Sequence, residues 1–268
     1  FKCTPVGGRK LRQGGYPFPG LGHAHPDANS FVLFAKGEHL ITHPGPCLLK
    51  RTANHNTVLV NDRGQSGQAA EWLRAWTALT RRRAADLLLA EQTDRYDYLV
   101  GDAAAAYDPG LLQDFTRQLL WLRPNLLCVF DRLRADRPST FQWRLHTGGD
   151  VSRIDDRTLR VARGRAVLTI RMLLPGTGRW SWETGANPDV SPDGGISPWT
   201  TIELTTPDST TDLRCLVVMQ IADTNMPCAF PDVTEWANGF DIGGKSLSGG
   251  VHIDLLQSQG TNRVFSLN

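Results

Sequence analysis

Short apolar and β-branched runs recur along this chain, and each is cut off by Gly, Pro, Asn or Asp before it could complete a helix of useful length. That punctuation leaves antiparallel strands as the main way to build the chain. Ser30 to Ala35, the turn Lys36-Gly37-Glu38 and His39 to Thr42 read as a hairpin. Further strands are expected at 57–60, 96–100, 115–122, 126–132, 139–145, 158–161, 166–172, 200–204 and 213–220. Turns such as Asn61-Asp62-Arg63-Gly64 and Arg123-Pro124-Asn125 separate them. The one helix-like stretch runs from Trp72 to Glu91, and its second half suits a strand equally well. Residues 176–198, rich in Gly, Pro, Ser and Asp, read as a long surface excursion. The expected fold is therefore all-β, a large antiparallel β-sandwich with few or no helices. Residues 1–222 would form the main domain, and 223–268 its closing strands or the start of a small β module.

A chain of 268 residues with 10 Phe and 8 Trp can bury enough apolar surface to offset its conformational entropy, which excludes disorder. No apolar run approaches the roughly 20 residues of a membrane helix, and no membrane partner is expected. Lys and Arg total 29 against 27 Asp and Glu. That balance gives no reason to expect nucleic acid. The positive charge is local, in Arg81-Arg82-Arg83 and in Arg153, Arg157, Arg160, Arg163 and Arg165. Any of these that faced a ligand would suit bidentate contact with carboxylate or sulfate; otherwise they decorate a solvated strand face. Cys3, Cys47, Cys128, Cys215 and Cys228 are widely spaced and form no CxxC pair, so a cysteine zinc site is not expected. Cys128 and Cys215 lie in apolar runs and read as small core residues. Phe1 stands where a Met would open a complete chain, which suggests a processed product or part of a larger protein.

The chemistry concentrates in His23, His25, His43 and His55. An H-x-H pair on extended backbone puts both imidazoles on one side. The two rings can share one metal, or one can hold metal while the other faces a substrate. His39 and His43 stand about 13 Å apart at ordinary strand rise, too far to share an ion. Neutral imidazoles from three segments suit Zn²⁺, which takes nitrogen ligands in a tetrahedron. His146 and His252 stand apart and read as structural or solvent-facing.

The string Gly22-His23-Ala24-His25-Pro26-Asp27-Ala28-Asn29-Ser30-Phe31, then His43-Pro44-Gly45, then the segment from Lys50 to Asn61 containing Asn54-His55-Asn56-Thr57, resembles the β-sheet domain of heparinase II/III-like polysaccharide lyases. Arg117, Asp131-Arg132 and Phe141-Gln142-Trp143-Arg144-Leu145-His146 are similar in style. The resemblance implies a β-sandwich of the super-sandwich type, with an N-terminal α/α toroid elsewhere in the parent protein. It implies β-elimination on uronate-containing acidic glycans, in a periplasmic or secreted enzyme. Alginate, heparan-type and other uronate glycans all fit.

Carried over residue by residue, His23 resembles the catalytic histidine, and His25 and His55 resemble two ligands of a structural Zn²⁺. The third ligand of the family is typically an Asp, and His43 stands in its place, making the donor set neutral. The general base and acid would come largely from the toroid, since Tyr16, Tyr96, Tyr98 and Tyr107 match none of its positions. Two other readings use the same residues. One is a non-catalytic module binding anionic glycan through arginines and Trp72, Trp76, Trp143, Trp180 and Trp182. The other is a metal-dependent hydrolase, for which Asp27 is the only nearby carboxylate, although Asp27 also suits a cap for the turn after Pro26.

Overall fold

A computed structural model describes residues 1–4, 25–45, 47, 49–68, 70–71, 85–190, 198–225, 230–243, 251–255 and 262–267. Its strands are β1 Leu33–Ala35, β2 Glu38–Ile41, β3 Leu49–Lys50, β4 Val58–Val60, β5 Ala70–Glu71, β6 Asp86–Gln92 and β7 Tyr96–Asp102. They continue as β8 Leu112–Leu122, β9 Leu126–Ser139, β10 Phe141–Thr147, β11 Asp150–Asp155, β12 Thr158–Arg163, β13 Ala166–Leu174 and β14 Arg179–Gly185. The last are β15 Trp199–Thr205, β16 Thr210–Asp223, β17 Asp232–Trp236, β18 Gly239–Gly243, β19 Val251–Asp254 and β20 Phe265–Leu267. Among the described residues there is no α-helix, only short 3₁₀ turns at Thr52–Asn54 and Ala104–Ala106. The chain is all-β, as its turn spacing predicts.

The central layer is an eight-stranded antiparallel sheet in the order β11-β12-β13-β16-β9-β8-β7-β6. A four-stranded sheet, β14-β15-β10-β4, covers one face, and the sheet β17-β18-β19-β20 covers the other. The period of two along a strand divides the central side chains between two cores. Leu127, Val129 and Leu133 of β9, with Cys215, Val217 and Met219 of β16, point toward Phe141, Trp143 and Ile202. Leu126, Cys128 and Phe130, with Leu216 and Val218, meet Phe240, Ile242 and Ile253 on the opposite side. Burial on both faces is why these central strands read as continuous apolar runs rather than alternating ones. Cys128 and Cys215 are free thiols, one in each core, and burial pushes the Cys128 thiol up to about 12. Cys228 lies outside the described residues.

The expected hairpin forms between β1 and β2, with Lys36 and Gly37 at φ of 56° and 83° in its two-residue turn. Positive φ at both central positions matches the right-handed twist of the strands. Asn61 and Asp62, at φ of 51° and 59°, make the same kind of turn after β4. Residues 176–198 are not simply a surface excursion. They contain β14, paired along its whole length to β15. Trp180 is buried while Arg179 and Ser181 face outward, an alternation hidden by the polar residues that follow it. The second half of the ambiguous stretch forms the strand β6, and residues 72–84 lie outside the described set.

Candidate functional site

The site is built from three connections on one edge of the four-stranded sheet. The first contains His25 and closes in a tight turn, where Ser30 N–H donates to the Asp27 carbonyl at 3.1 Å and Asn29 takes a left-handed φ of 57°. Gln65 clamps this turn at both polar atoms of Ala28. It accepts from the backbone N–H and donates to the carbonyl, each at 2.9 Å. The second connection leaves β2 and carries His43. The third is the 3₁₀ turn Thr52–Asn54, after which His55 N–H donates to the Thr52 carbonyl at 3.0 Å. Two of these features need local chemistry that only short polar side chains supply: the buried Thr52 hydroxyl accepts from Gln65 N–H at 2.8 Å, and Asn29 tolerates φ > 0.

Buried polar groups lock the connections together. Asn56 Nδ2 donates to the Phe31 carbonyl at 2.7 Å and to the Thr42 carbonyl at 2.8 Å. Those two acceptors fix the amide's orientation, so Oδ1 must accept from His146 N–H at 2.8 Å and from His146 Nδ1–H at 3.0 Å. Beneath them, Arg117 and Asp131 form a fully buried bidentate pair, with Arg117 Nε to Asp131 Oδ1 at 2.7 Å. Arg117 Nη1 also donates to the carbonyls of Asn29 and, at 2.7 Å, Asn56. Trp143 Nε1–H donates to Asp131 Oδ2 at 2.6 Å. One guanidinium therefore ties the His25 turn to the backbone just after His55.

Three of the four singled-out histidines converge. His25 Nδ1 lies 3.1 Å from His55 Nε2, and their rings meet edge to face with centroids 5.1 Å apart. The His43 and His55 ring centroids are 6.0 Å apart. His23 lies outside the described residues. Burial, reinforced by His25 and His43, holds His55 well below its ordinary pKa, so at neutral pH it is the neutral imidazole that offers a lone pair. His43 is also lowered, mainly by burial, against an opposing pull from Asp27. Asp27 itself is raised by burial although Lys2 Nζ sits 2.6 Å from its carboxylate. Its described role is this ion pair and the backbone turn.

In a tetrahedral zinc site, two imidazole nitrogens at ~2.0–2.1 Å from the ion stand ~3.3 Å apart. The His25–His55 separation suits that edge. His43 does not, as it stands: its Nδ1 accepts the Gly45 N–H at 3.1 Å, which leaves the ring hydrogen on Nε2 and makes that nitrogen a donor. Among the described residues no group of three His, Cys, Asp or Glu side chains is arranged to hold a metal.

His146 is the residue that spacing in the chain did not bring into the site. It is fully buried, stacks on Trp199 with centroids 4.7 Å apart, and shares Asn56 with the histidine loops. Its place in the cross-strand ladder, opposite Thr201, is invisible in sequence order. His252 does stand apart, on the C-terminal sheet, bonded to Asp241 at 2.7 Å and stacked on Trp236. Beside His55 opens a polar cleft of about 250 Å³ lined by Ala53, Asn54, Arg144, Glu183, Asn187 and Trp199. Asn54 forms part of its wall, held by Asp189 at 3.1 Å and Asn187 at 3.0 Å.

This is an antiparallel β-sandwich domain that gathers imidazoles from three loops next to a polar cleft lined by β10, β14 and β15. Residues 10–216 match the family model described as heparinase II/III-like, C-terminal, and the chain belongs to that family. The fold is similar to that of the heparan sulfate lyase HepC from Pedobacter heparinus, with a TM-score of 0.62 and 16% identity over 93% of this chain. It is similar to the crystal structure of heparinase III with a TM-score of 0.60 and 14% identity over 82% of this chain. The chain spans 37% of the length of the first and 34% of the second.

Proposed function

We propose that this chain is the β-sandwich part of a polysaccharide lyase that cleaves uronate-containing acidic glycans by β-elimination. The observation that carries the reading is the convergence of His25, His43 and His55 in a domain of this family, two residues along from His23. The C5 proton of a uronate is weakly acidic until hydrogen-bond donors or cations neutralise its carboxylate. A base then removes that proton, and an acid protonates the departing O4. In this reading His23 faces the substrate as base or charge stabiliser, a task an imidazole with pKa near ~6.5 performs at neutral pH.

A structural zinc is part of the same proposal: His25 and His55 would hold it, and His43 would become the third nitrogen only by giving up the Gly45 N–H or moving its ring hydrogen off Nε2. When bound, the ion would order the cleft wall and add positive charge near the substrate carboxylate. An N-terminal α/α toroid in the parent protein would supply the remaining acid and base groups and the other wall of the cleft. A periplasmic or secreted setting is part of the same proposal.

The test is the parent protein assayed on heparan-type glycans and alginate, following the absorbance of the new conjugated double bond. Elimination should occur in the whole protein and fall by at least ~100-fold in His23→Ala. A His23→Ala protein of undiminished rate refutes the role of His23. Glycan binding without any elimination product from the whole protein would make the chain a binding module instead.

A further inference from the structure

Many described arginines in this molecule already have an acid to answer to: Arg51, Arg63, Arg117, Arg123, Arg132, Arg144, Arg163, Arg214 and Arg263 each sit within 4.0 Å of a carboxylate. Arg153, Arg157 and Arg179 do not, and these three line one groove. The groove has a volume of about 630 Å³, within the range of small-ligand sites. Its walls are the turn between β11 and β12 and the connection from β13 to β14. Asp156 is the one carboxylate among its lining residues.

Two of the guanidiniums are held in place before any ligand arrives. Arg153 Nη2 donates to the Trp180 carbonyl at 2.7 Å, and its guanidinium lies 5.2 Å from the centre of the Trp182 ring. Arg157 Nη2 donates to the Gly176 carbonyl at 2.9 Å, while the Arg157 carbonyl accepts from Trp180 Nε1–H at 3.0 Å. Each uses one of its five N–H groups on the protein and keeps the rest of the planar fork. Arg179 is exposed, and its side chain makes no hydrogen bond or ion pair among the described residues. Three cations in one groove against one anion, two of them positioned at no further entropic cost, are the arrangement that receives an anionic oxygen group.

The groove is separate from the histidines. β14 and β4 are opposite edges of the same four-stranded sheet. Trp180 is in register with Leu204, Leu204 with Trp143, and Trp143 with Val58. Three strand spacings amount to ~14 Å. Along β14 the groove lies at the Arg179 end, whereas the cleft beside His55 uses the Glu183 end.

We propose that Arg153, Arg157 and Arg179 form a second binding site on this domain, one that takes the sulfate or carboxylate groups of an acidic oligosaccharide away from the histidines and the cleft next to them. Its choice of ligand rests on the acidic-glycan reading above. A chain bound there would be held to the domain by a segment that is not being cleaved.

The test uses the full chain and size-defined heparan-type hexasaccharides, sulfated and desulfated, in titration calorimetry at low and physiological salt. Arg153→Gln with Arg179→Gln should weaken binding of the sulfated probe about tenfold in a variant that circular dichroism shows to be folded. Should that double variant fold poorly, Arg179→Gln alone carries the test, because its side chain makes no described internal bond; about threefold is then expected. A desulfated probe that also weakens assigns the groove to carboxylates, and one that never binds assigns it to sulfate. Unchanged affinity in the arginine variants overturns the proposal, as does equally tight binding of a single-stranded DNA of the same charge. If the whole protein eliminates nothing but the arginine variants still lose glycan binding, the lyase reading fails and the groove stands. If elimination proceeds and arginine substitution leaves binding intact, the groove fails and the lyase reading stands.

Discussion

His25 Nδ1 and His55 Nε2 face one another at 3.1 Å, although 30 residues separate them in the chain. Two imidazole nitrogens at that distance share either a hydrogen or a metal ion. The zinc proposal chooses the second, and the choice is measurable. Protein purified without chelator is expected to carry about one zinc per chain. His25→Ala or His55→Ala should abolish it. His43→Ala should only weaken it, because the His43 ring is engaged by Gly45 N–H. Elemental analysis decides the matter, and a metal-free wild type whose melting temperature ignores added zinc refutes it.

Asn56 should be among the most sensitive positions of the domain. Its amide bridges the Phe31 and Thr42 carbonyls to the His146 ring and backbone. Asn56→Ala strands several buried polar groups at once, and a loss of ~2–4 kcal/mol is expected in urea denaturation. Asn56→Asp should cost at least as much, since a carboxylate oxygen would face two carbonyls that now receive N–H donors. A loss below ~1 kcal/mol for both would show that the amide is not the bridge described.

The Arg117–Asp131 pair carries a prediction about how charge is buried. Asp131→Asn should destabilise by ~3–5 kcal/mol, because it leaves the Arg117 guanidinium fully buried without its counter-charge. Arg117→Met with Asp131→Leu should be milder than the sum of the single changes, which a double-mutant cycle measures. The double variant should still loosen the site, because Arg117 also holds the Asn29 and Asn56 carbonyls. Additive effects would mean that the two side chains act independently.

Acid should destabilise the domain through His146. Burial, with a smaller push from Arg144, holds its folded pKa well below the ordinary 6.5. As the pH falls through about 6.5 the unfolded chain takes up the proton first. Stability contributed by the neutral ring is thus complete above that value and declines below it, by up to ~1.4 kcal/mol per pH unit. His146→Gln should flatten the decline between pH 6.5 and 5 in chelator-treated protein. An unaltered slope would place the acid sensitivity elsewhere.

The strands and turns were legible because their determinants are local. Lys36-Gly37 and Asn61-Asp62 adopt positive φ for reasons contained in two residues, and the runs at 126–130 and 215–219 are apolar because both of their faces are covered. β14 was missed where one Trp faced the core amid polar neighbours. The number of layers was not legible either, since nothing local says that Phe240 and Ile253 lie on Phe130 rather than on one another's strands alone.

The candidate site divides along the same line. His25, His43 and His55 stood out by motif, and they do converge. Asn56, Arg117, Asp131 and His146 fell within the segments that resemble the family, but their roles were not legible there, and Lys2 had no motif at all, because these roles depend on contacts with residues 14 to 90 positions away. The tryptophans show the reverse case. Trp143 and Trp180 could by residue type either stack on sugar or pack inside, and both are buried in the core, while Trp182 on β14 is left partly open.

By itself the sequence determined the all-β class, the hairpin turns and the residue types that can bind a dication or an anion, since those follow from backbone preference, period and side-chain chemistry. Tertiary structure alone decided which groups meet. It set His25 against His55, turned His43 toward its own loop, buried His146 beside them, and gathered three arginines without ion pairs where β14 meets the β11–β12 turn. Strand pairing brings distant segments within hydrogen-bonding reach, and burial then fixes whether a group there is charged, neutral or available.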